Sequence, residues 1–134
     1  HARVLYPVAP RGAPPCSDYS FQDLSNTAWA FANLRVSDRP LRDALAASAI
    51  RKIMDYEPRN LSITPWAFAT LEVWDVPLMH AIAASSLPKL SEFRPQEISN
   101  TAWACATLGY RNLPLLDALS ASAIARMSDF RPQD

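Results

Sequence analysis

Glycine is almost missing: Gly12 and Gly109 are the only two in 134 residues. Glycine-rich phosphate loops and tight hairpins need residues that reach positive φ, so neither has its raw material here. Cysteine is as scarce. Cys16 and Cys105 stand far apart with no second ligand at metal spacing, which excludes a disulfide scaffold and leaves a reduced compartment as the simple reading. No apolar run approaches the ~20 residues of a bilayer span, so membrane insertion is not expected. Charge of one sign is not in excess either. The 13 basic and 13 acidic residues cancel, which argues against a strongly basic nucleic-acid footprint while leaving room for local basic spots.

Catalytic chemistry also lacks its parts. His80 is the only internal histidine, and it stands where Asp43 and Asp117 stand in sequence repeats, so a solvated surface residue is expected. No Ser/His/Asp or Cys/His set is evident, no acidic pair recurs, and no cofactor or metal is implied. Cys105 replaces Phe31 and Phe68 and reads as a small core residue. The chain reads as a binding protein and not as an enzyme.

What the sequence does have is proline, 12 of them, and a repeat. Trp29, Trp66 and Trp103 are 37 residues apart, as are Leu34, Leu71 and Leu108, and Pro40, Pro77 and Pro114. Tyr19, Tyr56, Phe93 and Phe130 mark the boundaries. The register 20–56, 57–93 and 94–130 needs no gap, and a fourth unit opens at Arg131. Residues 1–19, with Pro7, Pro10, Pro14 and Pro15, lack a helical period and read as a flexible leader.

Each unit holds two helical stretches. In the first, Leu24, Ala28, Phe31 and Ala32 share one arc of the helical wheel, with Trp29 and Leu34 on its flanks. A helix apolar over most of its circumference is buried on several sides, as an inner solenoid helix is. The second stretch opens on Asp38, Asp75 and Asn112, each two residues before a proline, which is the pattern of a capped helix start. Leu41, Leu45, Ala49 and Ile53 then make one stripe, with Arg51 and Asp55 opposite. The expected fold is all-α: an α-solenoid of three 37-residue helix-turn-helix repeats. The middle repeat carries Pro65 and Pro88 inside its helical stretches, where a kink or a shortened helix is expected. An open C-terminal end with exposed apolar surface, prone to self-association, is expected as well.

The candidate binding residues lie in the polar wedge of the inner helix. Gln22, Asn26 and Asn33 fall together on the wheel. Their counterparts are Arg59, Ile63 and Thr70, then Gln96, Asn100 and Thr107. Amides and hydroxyls offer donors and acceptors that suit base edges, though the same groups can simply solvate an inner face or bond between repeats. The three tryptophans border the wedge and are expected to act mainly as packing wedges; stacking on single-stranded bases is the other reading. Trp74, in the inter-helix turn of the middle repeat, suits either a contact point or a local packing patch. Arg59, Arg94 and Arg131 stand near the starts of inner helices, placed to collect phosphates or merely to aid solubility.

The segments DLSNTAWAFANL and RPQEISNTAWACATL and the closing RPQD resemble the octotricopeptide-type helical repeats of organelle RNA-binding proteins. The resemblance covers residues 20–134. It implies single-stranded RNA bound along the inner helices, work in organellar RNA processing, and a mitochondrial or plastid location. It carries the reader role onto Asn26 and Asn33 in the first repeat and Asn100 and Thr107 in the third. The middle repeat, with Ile63 and Pro65, is expected mainly to set the curve. The alternative is a scaffold of the same architecture that binds protein subunits of an RNA-processing complex.

Overall fold

Asp38, Asp75 and Asn112 act as their spacing predicts. Their side-chain oxygens accept the amides of Leu41 (3.1 Å), Leu78 (2.9 Å) and Leu115 (2.9 Å). Each cap opens a helix whose first turn holds a proline, where a missing amide removes no intrahelical bond. In the computed structural model, which describes residues 19–127, these are the outer helices α2 (Arg39–Lys52), α4 (Val76–Ser86) and α6 (Leu113–Ala125). The inner helices are α1 (Phe21–Leu34), α3 (Pro58–Thr70) and α5 (Pro95–Leu108). They start on a different device. The third helical residue reaches back to the N-cap amide: Asp23 to Ser20 (3.0 Å), Asn60 to Glu57 (3.1 Å) and Glu97 to Arg94 (2.8 Å).

The described residues are therefore all-α, three helix-turn-helix repeats with no strand among them. The inner helices stack α1 on α3 on α5, and these are the most extensive contacts in the molecule. Each outer helix lies on its own inner helix, and α2 also meets α4. The stripe of Leu41, Leu45, Ala49 and Ile53 is buried, while Arg51 and Asp55 are exposed. Tyr56 and Phe93, one at each repeat boundary, are completely buried in the main core with Leu61 and Leu78. Side chains of this kind each contribute ~1.5–3 kcal/mol through the apolar area they remove from water.

The two internal prolines behave differently. At Pro88 the outer helix is shortened: α4 has 11 residues against 14 in α2, and a 3-10 segment, Leu87–Glu92, follows it. At Pro65 the helix is not cut short. The α3 helix runs through it, Thr64 is not a cap, and Pro65 is buried in place of Ala28 and Ala102. The helix is already established from Pro58, and α1 and α5 flank it on either side. The lost amide leaves one carbonyl of the preceding turn without its helical donor, and the packed neighbours hold the segment helical regardless.

A periodic basic column ties the repeats together. Lys52 and Lys89 donate from Nζ to the carbonyls of Tyr19 and Tyr56, and the Arg126 guanidinium donates to that of Ser91. The three cations are 37 residues apart. Lys89 and Arg126 each join the end of an outer segment to the backbone of the repeat before it, and Lys52 joins its own to Tyr19, just ahead of the first repeat. All of the expected leader but Tyr19, and the fourth unit from Arg131, lie outside the described residues.

Candidate functional site

A groove of about 980 Å³ runs along the inner helices. On α3, Arg59, Ile63 and Trp66 stand at i, i+4 and i+7, so one face of the helix presents all three to the groove. On α5, Gln96 and Asn100 repeat the i, i+4 spacing from the first turn. Trp29 enters from α1 and Arg126 from beyond the end of α6. Aromatic rings, amides and guanidinium groups thus share one wall.

The charge in the groove is mostly positive. Arg59, Arg94 and Arg126 face the single carboxylate of Glu97. That carboxylate is already engaged, accepting from the Arg94 amide at 2.8 Å and pairing with the Arg94 guanidinium at 3.3 Å. The Arg94 end of the pair is largely exposed, so the ion pair is weak and the arginine stays available to solvent. Arg59 lies in the first turn of α3, and Arg94 is the N-cap of α5. The partial positive charge of those helix ends adds to the guanidinium charge, and together they favour an anion.

A family model described as RESC6, RNA-editing substrate-binding complex 6 protein, matches residues 7–130. The chain belongs to this RNA-editing complex family. The match takes in most of the expected leader together with all three repeats. No curated protein matches the chain. RESC6 membership gives RNA processing as the setting, and it bears on the octotricopeptide resemblance at that coarser level: a helical family of RNA-editing complexes.

Within this RESC6 chain the groove gathers only part of the expected wedge. Arg59, Arg94, Gln96 and Asn100 line it. Gln22, Asn26, Asn33 and Thr107 are exposed but lie off its wall, and Asn33 donates from Nδ2 to the Trp29 carbonyl at 2.8 Å. Thr70 is half-buried, and its hydroxyl is shielded from solvent. The middle repeat supplies Arg59, Ser62, Ile63 and Trp66, so it forms a wall of the groove.

The three repeat tryptophans differ: Trp66 packs as expected, and Trp29 and Trp103 are largely exposed. Trp29 is 48% exposed and Trp103 46%, while Trp66 is half-buried against the first-repeat core. Alanines and phenylalanines already close the inner-helix interfaces, so the indoles are left on the flank of the packed arc. Arg126 also lines the groove, and its signal in the sequence is a cation at every thirty-seventh position.

Elsewhere, Cys105 is buried as expected, and burial pushes its thiol up to about 11, keeping it protonated and unreactive near neutrality. His80 is exposed but not merely solvated. Its Nδ1 lies 2.8 Å from the Tyr110 hydroxyl, and Trp74 packs against the same tyrosine at 5.8 Å between ring centroids. Trp74 is thus at least part of a packing patch joining the second and third repeats. Among the described residues no helix is long and apolar enough to cross a membrane.

Proposed function

We propose that this chain binds single-stranded RNA in the groove along its inner helices, as one module of an organellar RNA-processing assembly in a mitochondrion or plastid. One observation carries the reading: the groove collects Trp29 and Trp66 beside Arg59, Arg94 and Arg126. Indole faces accept any base, and guanidinium groups suit the phosphates between bases. Gln96 and Asn100 add the donors and acceptors that distinguish one base edge from another. The octotricopeptide-like repeats support the same reading, and the role is binding without catalysis.

Titration of the chain with a uridine oligonucleotide, followed by tryptophan fluorescence, tests this. Quenching that saturates is expected. Three arginine–phosphate contacts give an affinity that falls with salt at a log–log slope of about −2, since single strands contribute roughly 0.7 per phosphate. Replacement of Arg59 by Ala reduces both the affinity and the slope. No quenching at low salt, or a slope near zero, overturns the proposal. The balanced net charge of the whole chain favours the rival reading, a scaffold for protein subunits. That rival gains if an RNA-free complex with another subunit forms and is lost with Trp29→Ala.

A further inference from the structure

Arg42 stands in an apolar column of the repeat. Its counterparts in the second and third units are Met79 and Leu116. Met79 is buried in the main core, and Arg42 lines the seam between the first two repeats with Phe68, Leu71 and Val73. There its Nε is shut off from solvent and has no hydrogen-bond partner among the described residues. A buried donor left unpaired is destabilising, so packing alone does not account for an arginine in this column.

The head of the side chain shows where it is aimed. Nη1 donates to the hydroxyl of Ser37 at 2.8 Å. Ser37 is exposed in the turn 36–38 between α1 and α2, immediately before the Asp38 cap. Arg35 and Arg39, both exposed, stand two residues to either side of it. Arg39 is held only by a loose, exposed pair with Asp43 at 3.9 Å, which leaves it free to turn. The repeat requires none of these four residues. Glu72, Trp74, Val76 and Met79 take the same places in the second unit, and Gly109, Arg111, Leu113 and Leu116 in the third. One guanidinium on the hydroxyl and two flanking it, against the carboxylates of Asp38 and Asp43, make a local excess of positive charge. The start of α2 adds its own partial positive charge to that excess.

We infer that Ser37 is a phosphorylation site for an arginine-directed protein kinase, and that Arg42, with Arg35 and Arg39, holds the phosphate once it is made. In the transfer, Ser37 Oγ attacks the γ-phosphorus of ATP. The new O–P bond forms as the bridging β–γ bond breaks, ADP leaves, and the hydroxyl proton passes to the base of the kinase. Arg35 directs the kinase, and a turn without helical hydrogen bonds supplies backbone that can extend into its cleft. The product carries nearly two negative charges and three strong acceptor oxygens, which meet the arginines and the α2 start. Ser91 follows Lys89 at the same spacing, but it lies within the 3-10 segment Leu87–Glu92, and Arg126 donates to its carbonyl instead of its hydroxyl. None of Arg35, Ser37, Arg39 and Arg42 lines the groove, so the inference stands apart from RNA binding.

Incubation of the full chain with ATP and an arginine-directed serine kinase, followed by mass-spectrometric mapping, tests the site. One phosphoryl group at Ser37 is expected well ahead of any at Ser91, and Arg35→Gln removes most of it. Phosphorus NMR titration of the product then reads the clamp. The phosphate is expected to take its second charge below the ordinary pKa of about 6, because the guanidinium groups favour the dianion. Arg42→Met supplies the residue type of the second repeat, so the chain keeps its fold and Arg35 still directs the kinase. In that variant the titration moves back toward the ordinary value. A chain left unmodified at Ser37, or modified at Ser91 instead, overturns the inference. So does a Ser37 phosphate that titrates at the ordinary value, or one whose titration Arg42→Met leaves unchanged.

Discussion

Among the described residues the middle repeat has a neighbouring repeat on both sides and each flanking repeat on one, and identical residues register the difference. Ser25 and Ser62 are buried and Ser99 is exposed; Thr64 and Thr101 are buried and Thr27 is only half-buried. Composition has not changed along these columns. Only the neighbour has. Burial in this chain is therefore a property of the interface between units more than of the unit, as expected for a quasi-one-dimensional array. The largest test of the comparison uses the outer helices. Met79 is 1% exposed in the middle repeat, and Leu116, its counterpart in the third, is half-buried. Met79→Ala is expected to cost about 2–5 kcal/mol in urea denaturation, and Leu116→Ala less than half as much. Equal losses would mean that the third repeat is closed by something as complete as a fourth.

The next comparison separates the groove from the rest of the tryptophan column. Trp29 and Trp103 are exposed to nearly the same degree, but only Trp29 lines the groove. If bases stack there, Trp29→Ala weakens oligonucleotide binding by about 1–3 kcal/mol, the usual contribution of one stacked base. Trp103→Ala leaves the affinity almost unchanged. Fluorescence or anisotropy titration of the two variants against one oligonucleotide reads the difference directly. Equal losses would spread the binding surface across the whole column, and no loss in either would leave the indoles without a ligand role.

The repeat frame was legible because its signals are local. Asp38, Asp75 and Asn112 announce their helices through contacts three residues away, and the boundary aromatics repeat without a gap. The candidate site was legible only in part. Arg59, Arg94, Gln96 and Asn100 reach the groove, whereas Asn26 and Thr107 share the wheel position or face and do not. A helical wheel gives direction around one helix; it does not say how far along the stack a groove extends. Pro65 shows a related limit. Its local cost argues for a kink or a shortened helix, yet α3 runs on through it between two flanking helices, so tertiary context overrides the tendency to stop there. The basic column of Lys52, Lys89 and Arg126 was visible as a pattern, but its purpose needed the carbonyls it meets, each about a repeat length away in sequence.

The smallest expected effect concerns a place where all three repeats are alike. Each inner helix ends on a left-handed residue: Arg35 at φ 58°, Glu72 at 59° and Gly109 at 71°. The following amides, of Val36, Val73 and Tyr110, then reach back to the carbonyls of Phe31, Phe68 and Cys105, as in a Schellman closure. Only the third repeat uses the residue that takes this conformation without strain, and a side chain in its place costs about 1 kcal/mol. A Cβ added at Gly109 would meet nothing within 4 Å, so Gly109→Ala is expected to lose about that much through the backbone alone. Arg35→Gly and Glu72→Gly are expected to gain up to about 1 kcal/mol, less the added freedom of the unfolded chain. All three positions are exposed, so the gain at Glu72 should match that at Arg35 despite the closer cover of the middle repeat. Thermal melts of the two glycine variants decide this. A clear loss at Glu72 beside a gain at Arg35 would show that the cover of the middle repeat reaches as far as its helix ends.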